Sequence, residues 1–204
     1  MEVAKKFQVP LHLRSSFSRR TGTLISKEVK RMEELVVSGV TVQKDEAKVT
    51  ICDVPDRPGI ASVIFTRISD ANVNVDMIVQ NVGRTGLTDV SFTVARVDLK
   101  RVLRVARRVA SEVKAGRVIH DDAVAKVSVV GLGMRSRSGI AAKMFQALAK
   151  ESINIGMIST SEIKISCIIR KDQAAKAVKT IHDCFGLDKI GVRPETVKAS
   201  KGRR

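Results

Sequence analysis

One carboxylate, one guanidinium, two prolines and a glycine stand together in Val54-Pro-Asp-Arg-Pro-Gly-Ile60. Asp56 offers a fixed negative charge to an ammonium group. Gly59 carries no side chain, so the backbone N–H groups of a helix starting beside it stay open to an approaching carboxylate. A site with both features suits a free amino acid.

The flanking residues define the elements that hold this turn. Val49 and Ile51 alternate with Lys48 and Thr50, which predicts a strand over 48–53. Pro55, Pro58 and Gly59 then force a turn. Ile60, Val63, Ile64, Ile68 and Ala71 follow at helical spacing and predict a helix with one apolar stripe over 59–71. The same unit returns about 80 residues later. Lys126-Val-Ser-Val-Val130 answers Lys48-Val-Thr-Ile-Cys52, Gly139-Ile-Ala141 answers Gly59-Ile-Ala61, and Phe145 answers Phe65. Ile153-Asn-Ile-Gly-Met-Ile158 answers Val73-Asn-Val-Asp-Met-Ile78, and Ile165-Ser-Cys-Ile-Ile169 answers Val90-Ser-Phe-Thr-Val94. Two copies are too few for a solenoid and imply two similar small domains.

Composition narrows the class. The 204 residues are 44% hydrophobic but only 3% aromatic, so the cores must be aliphatic. No apolar run approaches the roughly 20 residues of a membrane helix, and the first residues lack an apolar signal core. A cytoplasmic protein with no membrane partner is expected. Cys52, Cys167 and Cys184 form no C-x-x-C pair and read as buried reduced thiols, Cys52 and Cys167 in strands and Cys184 in a helix. His12, His120 and His182 share no ligand spacing, so no metal site is expected.

The formal net charge is +16. Nucleic acid is the sharp reading of that number. The plain one places the charge on solvated helix faces and a basic end. Arg101, Arg104, Arg107 and Arg108 interleave with Leu99, Val102, Leu103, Ala106 and Val109 in one amphipathic helix, and Lys198, Lys201, Arg203 and Arg204 close the chain. The plain reading is favoured.

Along the chain, residues 2–7 read as a helix end, Pro10 to Ser15 as a short strand, and Ser16 to Glu34 as a linker holding one ordered piece, Gly22-Thr-Leu-Ile25. Leu35 to Val42 reads as a strand, and Gln43 to Glu46 as a turn. The first repeat continues with strands at 73–80, 88–95 and 117–120 and a helix at 98–115. The second has strands at 125–131, 153–159 and 163–169, with helices at 139–151 and 172–184. Each repeat therefore reads βαββα and needs one more strand for a ferredoxin-like sheet with helices on one face. Alternation puts Val73, Val75, Met77 and Val79 in one row, and Asn74, Asp76, Ile78 and Gln80 in the other, free to meet a ligand or partner. The residues from 188 on are expected to be a mobile basic tail.

These residues resemble the paired ACT domains at the C-terminal end of aspartate kinase. The resemblance rests on Val-Pro-Asp-Arg-Pro-Gly-Ile (54–60), Asn-Val-Asp-Met-Ile-Val-Gln-Asn (74–81), Thr-Asp-Val-Ser-Phe-Thr-Val (88–94), Lys-Val-Ser-Val-Val-Gly-Leu-Gly-Met-Arg-Ser (126–136) and Ile-Ser-Thr-Ser-Glu-Ile-Lys-Ile-Ser (158–166). It implies an α+β protein: two ferredoxin-like (βαββαβ) ACT domains packed side by side, with antiparallel sheets and helices on one face. It also implies a remnant of the kinase catalytic domain plus linker at 1–28, a first ACT domain at 45–122, and a second built from 35–43 and 124–187. The strand at 35–42 would supply the one the second repeat lacks. The family's Lys-Phe-Gly-Gly-Thr-Ser type phosphate loop does not occur here. The chain therefore resembles the separate regulatory (beta) subunit that some bacteria make, or the same part of a longer kinase. No cofactor is expected on it; ATP and magnesium would serve the catalytic subunit, and the chain alone should not be catalytic.

In the family, feedback amino acids, usually threonine and lysine, bind where ACT domains meet, so a homodimer or hetero-oligomer with the catalytic subunit is implied. The threonine-like site would comprise Asp56, Arg57, Pro58, Gly59, Ile60, Ala61 and Gln80, closed by Asn154 and Ile155 of a second-type repeat. Its lysine-like counterpart would comprise Met134, Arg135, Ser136, Ser138, Gly139 and Ile140, closed by Asn74, Val75 and Asp76, with Ser161 and Glu162 contacting either ligand or capping a turn. The second loop is two residues longer and lacks the proline, so its ligand should differ. Gly156 replaces Asp76 in the other repeat, an asymmetry that suits a cationic side chain near Asp76. The bland alternatives are a plain capped turn for the first loop and a solvent-facing carboxylate for Asp76. The rival function is a nucleic-acid-binding module on the same ferredoxin-like plan. Such modules stack bases on aromatic residues of the central strands, and only Phe92 is available here.

Overall fold

The computed structural model describes residues 2–7, 9–18, 22–25, 36–81, 83, 86–131, 134 and 137–188. Helix α1 (Glu2–Lys6) leads to a two-stranded antiparallel pair, β1 (Leu11–Leu13) with β2 (Thr23–Ile25). The remaining elements are β3 (Gly39–Pro55), α2 (Ile60–Asp70), β4 (Val75–Gln80), β5 (Leu87–Ala95), α3 (Leu99–Glu112), β6 (Val118–Val130), α4 (Ile140–Lys150), β7 (Met157–Thr160), β8 (Lys164–Arg170) and α5 (Ala174–Phe185). Strands β3 to β8 form one antiparallel sheet in the order β4-β5-β3-β6-β8-β7.

Two strands are longer than their sequence suggests, and each serves both repeats. The polar Gln43 to Glu46 does not turn the chain. Strand β3 runs through it, absorbing the misfit in register shifts at Gln43/Glu46 and Glu46/Lys48. Its first part, Gly39–Gln43, pairs with Val130–Lys126, while Glu46 to Pro55 pairs with β5. The short strand expected at 117–120 and the one expected at 125–131 are likewise one element, β6. Leu35 and most of the 16–34 stretch lie outside the described residues; Val37 is buried in the second core.

Alternation decides what each strand buries. Ala47, Val49 and Ile51 of β3 and Val90, Phe92 and Val94 of β5 meet α2 and α3 in the first core. Helix α3 contributes Leu99, Val102, Leu103, Ala106, Val109 and Ala110, which is the i, i+3, i+4 stripe of an amphipathic helix. Phe65 sets its ring edge-on to Phe92, at 5.7 Å between centroids. In the second core Val127, Val129, Ile165, Cys167 and Ile169 meet Met144 and Leu148 of α4 and Ala177 and Ile181 of α5. The duplication reaches the backbone. Asn72 (φ 52°) and Ser152 (φ 56°) end α2 and α4 in the same left-handed conformation. A third cluster lies on the face away from the helices: Met77 and Val79 of β4 meet Val124, Met157 and Ile168. Strands β4 and β7 stand at opposite ends of the strand order yet approach each other across this cluster, so the sheet curls.

Candidate functional site

The first loop is tied down by its backbone. The Asp56 amide donates to the Gly86 carbonyl at 2.9 Å, and the Arg57 amide to the Pro55 carbonyl at 3.0 Å. Gly59 then takes φ 91°, ψ −18°, a left-handed conformation open to glycine at little strain, and no side chain caps α2. The first intrahelical bond runs from the Val63 amide to the Gly59 carbonyl at 3.1 Å. The amides of Ala61 and Ser62 precede it and have no intrahelical acceptor. A Cβ placed at Gly59 would meet no heavy atom within 4 Å, so the space over the turn is open. Asp56, Arg57, Pro58 and Ala61 are exposed, whereas Ile60 packs on the first core. Gln80 is exposed at the end of β4, opposite Val90.

The second loop repeats the device. Gly139 takes φ 89°, ψ −6°, no side chain caps α4, and the Lys143 amide reaches the Gly139 carbonyl at 2.9 Å. The space over this glycine is open as well. Met134 and Ile140 rest against the second core and Ser138 is exposed. Arg135 and Ser136 lie outside the described residues. The Ser161 amide and hydroxyl both donate to the Lys164 carbonyl, at 2.7 and 3.4 Å, which closes a turn; Glu162 is exposed beside it.

Within one chain each loop stays with its own core. Asn154 is exposed and Ile155 packs on the second core, away from the Asp56 loop on the first. Val75 packs on the first core, away from the Gly139 loop.

Asp76 departs from the expectation of a free row. Strand β4 shifts register between Val75 and Ile78, so Val75 points to the helices while Met77 and Val79 turn to the opposite face. The Asp76 carboxylate is ion-paired there with Lys126 of β6, whose ammonium also donates to Glu46 at 3.2 Å. Lys126 is 4% exposed and Glu46 7%. Sequence reasoning missed this trio. The available clue was charge at strand positions flanked by apolar residues: Glu46 before Ala47, and Lys126 between Ala125 and Val127.

Other chemistry is quiet. All three cysteines are free; Cys52 and Cys167 are buried as expected but Cys184, in the last turn of α5, is only partly so, and burial pushes the Cys167 thiol up to about 12. Among the described residues no cluster of His, Cys, Asp and Glu could hold a metal, and no helix is long and apolar enough to cross a membrane.

Two ACT-domain models match the chain, one over residues 48–112 and one over 127–185. An aspartate kinase of Stutzerimonas stutzeri is 50% identical over 189 residues, 92% of this chain and 46% of that protein. An aspartokinase of Corynebacterium efficiens is 42% identical over 207 residues, 100% of this chain and 49% of that one. The chain thus spans about half the length of the curated relatives it matches. Among solved structures, one of aspartokinase alpha and beta subunits superposes with a TM-score of 0.70 at 46% identity, covering 74% of this chain and 99% of that chain. The ligand-free regulatory subunit of aspartate kinase from Thermus thermophilus gives 0.70 at 37%, with the same coverage.

Proposed function

The chain belongs to the aspartate kinase family as its regulatory region of two ACT domains, and from that premise we propose that it binds end-product amino acids, threonine and/or lysine, and thereby feedback-inhibits ATP-dependent phosphorylation of L-aspartate. The observation that carries this reading is the pair of uncapped helix N-termini, each opened by a left-handed glycine with clear space above it. An α-carboxylate fits the free amides. At the first loop Asp56 stands ready for the α-ammonium, and threonine is the proposed ligand of Asp56, Arg57, Pro58, Gly59, Ile60, Ala61 and Gln80. At the second loop the proposed ligand is lysine.

Each site is proposed to be completed by another chain, because Asn154 and Ile155, and Asn74 to Asp76, stay apart from the loops they would close. Exposed Ile78 on β4 and Ile158 on β7 occupy equivalent places on the two outer strands, where unpaired edges favour side-by-side pairing. The kinase reaction, with its ATP and magnesium, is assigned to a catalytic subunit or segment whose activity this region biases through its differential affinity for the effector.

Calorimetric titration with threonine, lysine and the other amino acids of the aspartate pathway tests the reading. Asp56→Ala should weaken threonine binding about 10- to 150-fold, the worth of one charge-assisted hydrogen bond of roughly 1.5–3 kcal/mol. Its side chain is exposed, so the circular dichroism spectrum should not change. Wild-type threonine affinity in Asp56→Ala, or no heat from any of these amino acids, overturns the proposal.

A further inference from the structure

The second site, read as an amino-acid site, contains its own competitor. We propose that the Lys126 ammonium occupies Asp76 in the empty protein, and that the side-chain ammonium of a bound diamino acid takes its place, sending Lys126 wholly to Glu46. The inference rests on the reading of Asp76 as part of that site.

Three observations support it. First, the trio sets two carboxylates, Glu46 and Asp76, against one ammonium, so it can accept one more positive charge. Second, only Asp76 is reachable: its side chain is 36% exposed, whereas those of Lys126 and Glu46 are 5% and 9% exposed. A ligand can compete for Asp76 without opening the sheet. Third, Glu46 Oε2 is buried and has no hydrogen-bond partner, while Oε1 accepts from Lys126. A buried unpaired acceptor is unfavourable, and here it lies on the residue Lys126 would turn to. The ammonium has three donors, so it can exchange Asp76 for a second Glu46 oxygen and never be left without a carboxylate.

The exchange also gives occupancy a route into the sheet. Glu46 stands between the two register shifts in the pairing of β3 with β6, at the point where β5 begins to pair along the other edge of β3. Lys126 faces Gln43 on that strand. A lysine ammonium at Asp76 therefore alters the bonding at the crossing of β3 and β6, the two strands shared by both repeats.

The test uses the full chain labelled with 15N-lysine and titrated with unlabelled L-lysine, with L-norleucine as the control that lacks the ε-ammonium. The Lys126 ammonium resonance, assigned by its loss in the variant, should shift with L-lysine and not with norleucine. In Glu46→Gln/Lys126→Met, which removes the competitor and leaves no buried charge behind, lysine should bind about tenfold more tightly or better. Binding only to the double variant would support the proposal equally. If lysine binds the wild type but the Lys126 resonance stays still, or the double variant binds no more tightly, the exchange is overturned and the site reading stands. If lysine binds neither form, both fall.

Discussion

Lys126→Met removes the buried cation that Glu46 and Asp76 share. In that variant Glu46, 9% exposed at its side chain, loses its partner. Breaking a buried pair in this way costs about 3–5 kcal/mol, because the remaining charge is desolvated and unpaired. With a urea m-value of about 2 kcal/mol/M, the unfolding midpoint should fall by about 1.5–2.5 M. Two companion variants test the cause. In Glu46→Gln/Lys126→Met no buried charge is left, so more than half of the loss should return. Asp76→Asn should move the midpoint by less than about 0.5 M, since Asp76 is partly solvated and Lys126 keeps Glu46. Urea titrations of the four proteins at one pH, followed by circular dichroism, give the comparison. A single variant within 0.5 M of wild type, or a double variant as unstable as the single, would refute the reasoning.

Thiol chemistry should divide the cysteines. Burial holds Cys167 as a thiol up to about pH 12, so iodoacetamide at pH 8 should leave it unmodified in the folded chain and label half-exposed Cys184 first, as read by peptide mass. Glu112 titrates below its ordinary range because Arg67 hydrogen-bonds it and attracts its charge. Its folded pKa is depressed, so its small contribution is present above the unfolded value and is lost as pH falls through the folded one. In an NMR titration Arg67→Met should return the Glu112 midpoint toward that of a free glutamate. Gly59→Ala places a Cβ in open space at φ 91°, so its cost is backbone strain alone, about 1–2 kcal/mol. A thermal midpoint equal to wild type would contradict the left-handed assignment.

What the sequence made legible is what local residues decide. Ile60, Ile64 and Ile68 mark the buried side of α2, and Gly59 and Gly139 mark the two left-handed turns, because helix period and glycine conformation act over a few residues. The misreadings concern pairing. Gln43 to Glu46 has the composition of a turn, yet it stays extended because β6, some 80 residues on, hydrogen-bonds on both sides of it. Asp76 fits a strict alternation, but the register between β4 and β5 slips at that point and turns it to Lys126. Neither shift leaves a mark in the local residues. The two loops were visible as candidate sites, whereas the residues proposed to close them lie in the other repeat, beyond what one chain brings together.

The shared strand β3 also sets a timetable. Gly39 to Gln43 leave the ribosome ahead of their partners at Lys126 to Val130, which follow about 90 residues later. At roughly 5–20 residues per second, that is a wait of about 5–20 s. Meanwhile α2, β4, β5, α3 and the first residues of β6 emerge and can complete the first repeat's half of the sheet. A chain that has emerged only as far as residue 122 would hold the first half of the sheet with the start of β3 left bare. Val40 and Val42, half-buried once β6 is complete, would stand uncovered there to a chaperone or a neighbouring nascent chain.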